Sequence, residues 1–155
     1  MAEYVSNGVQ TVNPGESVIF SIASVPCTRG LVTPRLGSGN FLLKGWVPNR
    51  YGCACRTPQA ANYRVTFDAA IGVPTGGTVE TISLAYAIDG GTIEASTMES
   101  TPGAVEDLNS VSRTKSVAIV KGCCQTLTIR NISSQPVLVS NPSITIDRPD
   151  LLVTY

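Results

Sequence analysis

The sequence predicts an all-β protein, an antiparallel sandwich of about eight to ten short strands whose number fits a jelly roll. Three observations carry this. Segments rich in Val, Ile, Thr, Leu and Tyr alternate in polarity with a period of two. Fourteen glycines and ten prolines punctuate them along the whole length. No long helical pattern is available to carry parallel crossovers. The chain has 155 residues and shows no repeat, low-complexity linker or composition shift, so a single domain spanning 1–155 is expected.

Taken in order, strand signals begin at Tyr4-Val5 and at Val9 to Val12, flanking Asn7-Gly8 and followed by the turn Asn13-Pro14-Gly15. Ser17 to Ala23 alternates, with Val18, Phe20 and Ile22 on one face. Pro26 to Gly39 reads as loop with one short strand near Leu31 to Thr33, and Asn40 to Trp46 as a better strand. Val47 to Ala61 mixes proline, glycine, arginine and cysteine and reads as a long surface excursion. Asn62 to Ala70 alternates clearly, with Tyr63, Val65 and Phe67 on one face. A turn at Pro74 to Gly77 follows, then a hairpin in which Val79 to Ile88 and Thr92 to Thr97 flank Asp89-Gly90-Gly91. One short helix near 102–108 is expected, because Thr101 can cap, Pro102 suits the first helical position, and Ala104 to Leu108 holds no breaker. Strands return at Ser110 to Val120, Gln125 to Asn131, Val137 to Ser140 and Ile144 to Val153.

Charged residues make up only 14% of the chain, and eleven cations balance eleven anions. A charge-poor, neutral surface offers little field to draw nucleic acid or anionic membranes, and little repulsion between copies. Neither nucleic acid nor a membrane is expected as a partner. Met1-Ala2-Glu3-Tyr4 shows no signal-peptide pattern, so synthesis in the cytoplasm is expected.

There is no histidine, which removes the usual general base and the commonest transition-metal ligand. Glu94, Glu99, Glu106 and Asp107 read as solvated charges, and the glycine clusters as turns. The chain is therefore expected to be no enzyme and to carry no cofactor or metal. Five cysteines, Cys27, Cys53, Cys55, Cys123 and Cys124, lack zinc-knuckle spacing. They are expected as buried or free thiols, with a disulfide between Cys27 and Cys53 or Cys55 as the alternative. Trp46, Arg50, Tyr51 and Arg56 have the composition of a contact surface and mark a candidate partner-binding loop.

The runs Val12 to Phe20, Arg35 to Phe41, Ile71 to Val79, Ile82 to Ala85 and Gly122-Cys123-Cys124 resemble small virion proteins of tailed phages infecting Gram-positive gut bacteria, the capsid decoration and head-fibre proteins. These are similar to the C1q and tumour-necrosis-factor type of jelly roll, which also ends collagen-like spore-surface proteins. The resemblance implies a homotrimer on the capsid surface of a virion, with the major capsid protein or another virion protein as partner. The chain lacks the Gly-X-Y stalk of the spore-surface type. Tyr63, Phe67, Tyr86 and Tyr155 are expected at the trimer interface, each with one face on the core and another on a neighbouring copy. The alternative function is a receptor- or glycan-binding head of a phage or bacterial surface fibre, for which an exposed Trp46 or Tyr51 would supply a stacking platform.

Overall fold

The computed structural model describes residues 1–47, 60–122 and 124–149. Arg50, Tyr51, Arg56, Cys53, Cys55, Cys123 and Tyr155 lie outside them, as does most of the segment from Val47 to Ala61. Among the described residues, twelve strands form two antiparallel sheets, a jelly-roll architecture. They are β1 (Ala2–Val5), β2 (Val9–Val12), β3 (Ile22–Val25), β4 (Val32–Arg35), β5 (Asn40–Lys44) and β6 (Ala60–Gly72). The remainder are β7 (Ile82–Ile88), β8 (Gly91–Thr92), β9 (Met98–Ser100), β10 (Asn109–Val120), β11 (Cys124–Asn131) and β12 (Val137–Asp147).

The first sheet runs β10-β6-β12-β1-β3, with β2 also on β12. The second runs β4-β5-β11-β7-β8, with β9 also on β7. The predicted strand Val137 to Ser140 and the first part of Ile144 to Val153 are one strand, β12, which ends at Asp147 and is bent where its register on β6 shifts between Ser140 and Ser143; residues 150–153 lie outside the described residues. Below the bend, Val137–Ser140 pairs with β2, and above it Ser143–Ile146 pairs with β1. The turn between β1 and β2 is stitched into the bend: Asn141 donates its backbone N–H to Gly8 O and accepts the Gly8 N–H on Oδ1. One bulge therefore fixes the break in the N-terminal strand as well.

The expected single strand over Ser17 to Ala23 does not form. Val18 donates to Ile129 O of the second sheet, whereas Ser21 donates to Val5 O of the first, so this segment crosses between sheets. Val18 and Phe20 enter the core, and the crossing turns Ile22 out to solvent at 40% exposure. The expected helix near 102–108 is also absent. Glu106 adopts a left-handed φ of 67° and spends its N–H on Val73 O rather than on a helical carbonyl. A 3-10 turn lies instead at Glu94–Ser96, where the predicted hairpin's return strand is interrupted between β8 and β9.

The core fills the space between the sheets. Tyr4 and Phe67 from the first sheet, Phe41 from the second and Phe20 from the crossing segment form an aromatic chain, with centroids 5.0 Å (Tyr4–Phe41), 5.3 Å (Phe20–Phe41) and 6.3 Å (Phe20–Phe67) apart. Burying one such ring contributes about 1.5–3 kcal/mol. Tyr63, Phe67 and Tyr86 have no exposed surface. They point inward from β6 and β7, so they have no free face for a neighbouring copy, and the expected trimer contact through them is corrected: they are core residues.

Candidate functional site

The site grows from the end of β5. Strand periodicity puts Lys44 and Trp46 on the same side, both outward, while Leu43, Gly45 and Val47 turn in. Three hydrogen bonds hold this strand end on three different segments. Lys44 N–H donates to Leu31 O at 2.9 Å and Gly122 N–H to Gly45 O at 3.0 Å. Arg148 Nη1 donates to Trp46 O at 3.1 Å. Arg148 is itself buried, at 7% exposure, with its guanidinium 4.8 Å from the centre of the Tyr63 ring. Tyr63 completes the frame: its hydroxyl donates to Lys44 O at 2.6 Å and lies 3.2 Å from Leu31 O.

On this frame the Trp46 indole stands 53% exposed between two cavities. One, of about 330 Å³, is lined by Arg29, Gly30, Leu31, Lys44 and Trp46. The other, of about 300 Å³, includes Lys44, Trp46, Val47, Lys121 and Cys124 in its lining. No carboxylate lines either among the described residues. Of the predicted partner-binding loop, Trp46 is thus placed on an open surface, whereas Arg50, Tyr51 and Arg56 lie outside the described residues. No sequence pattern brings Lys44, Lys121 and Arg148 together. The two-residue spacing of Lys44 and Trp46 was the signal available for the first; only tertiary pairing brings Lys121 and Arg148 to the same place.

Cys27 is a free thiol; its alternative disulfide partners, Cys53 and Cys55, lie outside the described residues. Burial pushes this thiol up, but the backbone N–H groups of Val32, Arg29, Leu31 and Gly30 together outweigh burial and hold it below the ordinary thiol range. Cys27 lines a further cavity with Arg29, Asp147 and Arg148. Cys124 is half-buried at the start of β11, opposite Lys44. The carboxylates Glu94, Glu99, Glu106 and Asp107 are exposed, and Glu106 accepts a hydrogen bond from Thr75 Oγ1 at 2.6 Å. No group of three His, Cys, Asp or Glu side chains is placed to hold a metal ion among the described residues. No helix among the described residues is long and apolar enough to cross a membrane.

The paired sheets form a jelly roll whose fold is similar to that of C1q and tumour-necrosis-factor domains. The globular domain of zebrafish complement 1qA protein superposes with a TM-score of 0.57 at 13% identity, covering 91% of this chain and 93% of its own. Eiger TNF from S. frugiperda superposes with a TM-score of 0.57 at 14% identity, covering 92% of this chain and 88% of its own. At these identities the likeness is one of fold. No protein-family model and no curated protein matches the chain.

Proposed function

We propose that the chain is a non-enzymatic structural protein that works as a homotrimer on the exterior of a phage capsid, as a decoration or head-fibre protein. The observation that carries the self-assembly is the outer face of the first sheet. Across its three neighbouring strands β10, β6 and β12, the outward rows are Ser110-Ala70-Ser140, Ser112-Asp68-Ser143, Thr114-Thr66-Thr145 and Ser116-Arg64-Asp147. Nearly all are short side chains. They lose little rotamer entropy when covered and let another copy approach the backbone closely. Among the charges, Arg64 and Asp147 already pair at 2.9 Å, leaving Asp68 to be accommodated. A charge-poor surface favours such contact. The virion placement is supported by the sequence resemblance.

Mass photometry of the purified chain is expected to give three times its 16.3 kDa mass. Thr66→Arg, at the centre of the face, is expected to give monomers with an unchanged far-ultraviolet circular dichroism spectrum. A wild-type chain that stays monomeric at tens of micromolar would refute the trimer. Failure to sediment with phage capsids would remove the virion placement.

A second reading, a receptor- or glycan-binding head, is favoured by one observation: Trp46 is exposed on a hydrogen-bonded strand end, which suits stacking of a sugar ring. A glycan array probed with the full chain is expected to show binders that are lost in Trp46→Ala. An array without binders counts against this reading.

A further inference from the structure

We propose that the Trp46 platform takes an acidic saccharide, its ring stacked on the indole and its anionic groups held by Lys44, Lys121 and Arg29. The proposal rests on the glycan-binding reading above and specifies its ligand class. Its first basis is charge. Lys44 lines both cavities that flank Trp46, Arg29 lines one and Lys121 the other, so the exposed ring has cations on both sides. No carboxylate lines either cavity among the described residues. In a chain with equal numbers of cations and anions, such local separation creates a field that the molecule as a whole lacks.

The second basis is rigidity. Trp46 and its two predecessors are tied to Leu31, Gly122 and Arg148, and Tyr63 braces the same strand from beneath through Lys44 O. A ligand meeting this ring therefore orders little backbone on binding.

The number of exposed rings distinguishes a saccharide from a nucleic acid, which also uses cations and rings. Single strands bind along a track of several stacking rings. Among the described residues, Tyr4, Tyr63, Tyr86, Phe20, Phe41 and Phe67 are all buried, leaving one exposed ring that shares its flanking cavities with three cations. That is a footprint for one charged sugar unit and its neighbours.

Trp46 is the single tryptophan of the chain, so its fluorescence reports the site directly. The full chain is titrated with oligogalacturonate, with the fully methyl-esterified oligomer of the same length, and with oligothymidylate. The expected result is a saturable change in emission with oligogalacturonate, weaker binding of the neutral ester, and loss of that preference in about 0.5 M salt, where exposed charges are screened. Lys44→Gln and Lys121→Gln, both at exposed positions, are each expected to weaken oligogalacturonate about two- to fivefold with little effect on the ester. Calorimetry with Trp46→Ala is expected to show loss of both saccharides. Equal affinity for the acid and the ester would overturn the acidic class while leaving a glycan site standing. Absence of binding to either, with an empty glycan array, would overturn both readings. Tighter binding of oligothymidylate would overturn the proposal in favour of a nucleic-acid site.

Discussion

The hydroxyl of Tyr63 reaches the carbonyls of Lys44 and Leu31 at 2.6 and 3.2 Å, while its ring carries the Arg148 guanidinium. One side chain thus joins β6 to the strand end that presents Trp46 and to the loop that presents Arg29. Tyr63→Phe keeps the ring under the Arg148 guanidinium but removes the hydroxyl that meets Arg148 and leaves the part-buried Lys44 carbonyl without this donor. The expected cost is about 1–2 kcal/mol, read as a lower urea midpoint with an unchanged slope. The same variant is expected to make Trp46 fluorescence more accessible to a neutral quencher such as acrylamide. Unchanged stability and quenching would show that the hydroxyl does not hold the platform. At this scale, alternation placed Tyr63, Val65 and Phe67 together on one face of a strand, and correctly so. It was silent on whether that face met the core or a second copy, because a period of two names the two sides of a sheet without saying what covers each.

Among elements, the crossing segment between β2 and β3 and the tight loop between β4 and β5 lock against each other. Gly37 N–H donates to Phe20 O at 2.9 Å. A Cβ added to Gly39, whose φ is +73°, would lie 2.1 Å from Val18 O. At Gly37, φ +84°, the same atom would meet nothing within 4 Å. Gly37→Ala is therefore expected to cost only the left-handed backbone penalty of about 1–2 kcal/mol. Gly39→Ala must also push the backbone of the crossing segment, which carries Val18 and Phe20 into the core, and is expected to cost more than about 3 kcal/mol. Chemical denaturation of the two variants side by side checks this; equal losses would refute the locking contact. The glycine run Gly37-Ser38-Gly39 was legible as a turn, but the unequal demands on its two glycines were not, since the approach of Val18 O is a long-range contact. The same limit explains the Ser17 to Ala23 strand that does not form: its alternation is genuine as far as Phe20, and a change of sheet leaves no mark in residue type. The hairpin turn at Asp89 to Gly91 and the long β6 were legible because their signals are local. The Trp46 site was half legible for the opposite reason, its indole and Lys44 being close in sequence while Lys121 and Arg148 arrive through β10, β11 and β12.

For the whole molecule, the buried phenols decide behaviour at high pH. Tyr86 projects from the second sheet across the core, and its hydroxyl donates to Arg113 O, with Val65 O 3.3 Å away, in the first sheet, so it spans both layers. Burial pushes its phenol far up, with Asp68 adding to the shift and the backbone of Phe67 and the cation of Arg113 opposing it. Burial likewise raises Tyr4, helped by Cys27, and Tyr63, where Arg148 pulls the other way. A phenol whose folded pKa lies above its unfolded one contributes stability that is intact below the unfolded value and lost as pH climbs toward the folded value. The loss therefore begins at about pH 10, where phenols of the unfolded chain ionise while these three do not. Native protein titrated with alkali is expected to hold back the phenolate absorbance of these three of its five tyrosines, then release it in one steep step that coincides with loss of the circular dichroism signal. In urea the same chain should titrate all five smoothly near the ordinary phenol range. Smooth native titration of all five with the circular dichroism spectrum intact would mean that the two sheets can part around Tyr86 without unfolding, contrary to a core in which one hydroxyl ties the layers together.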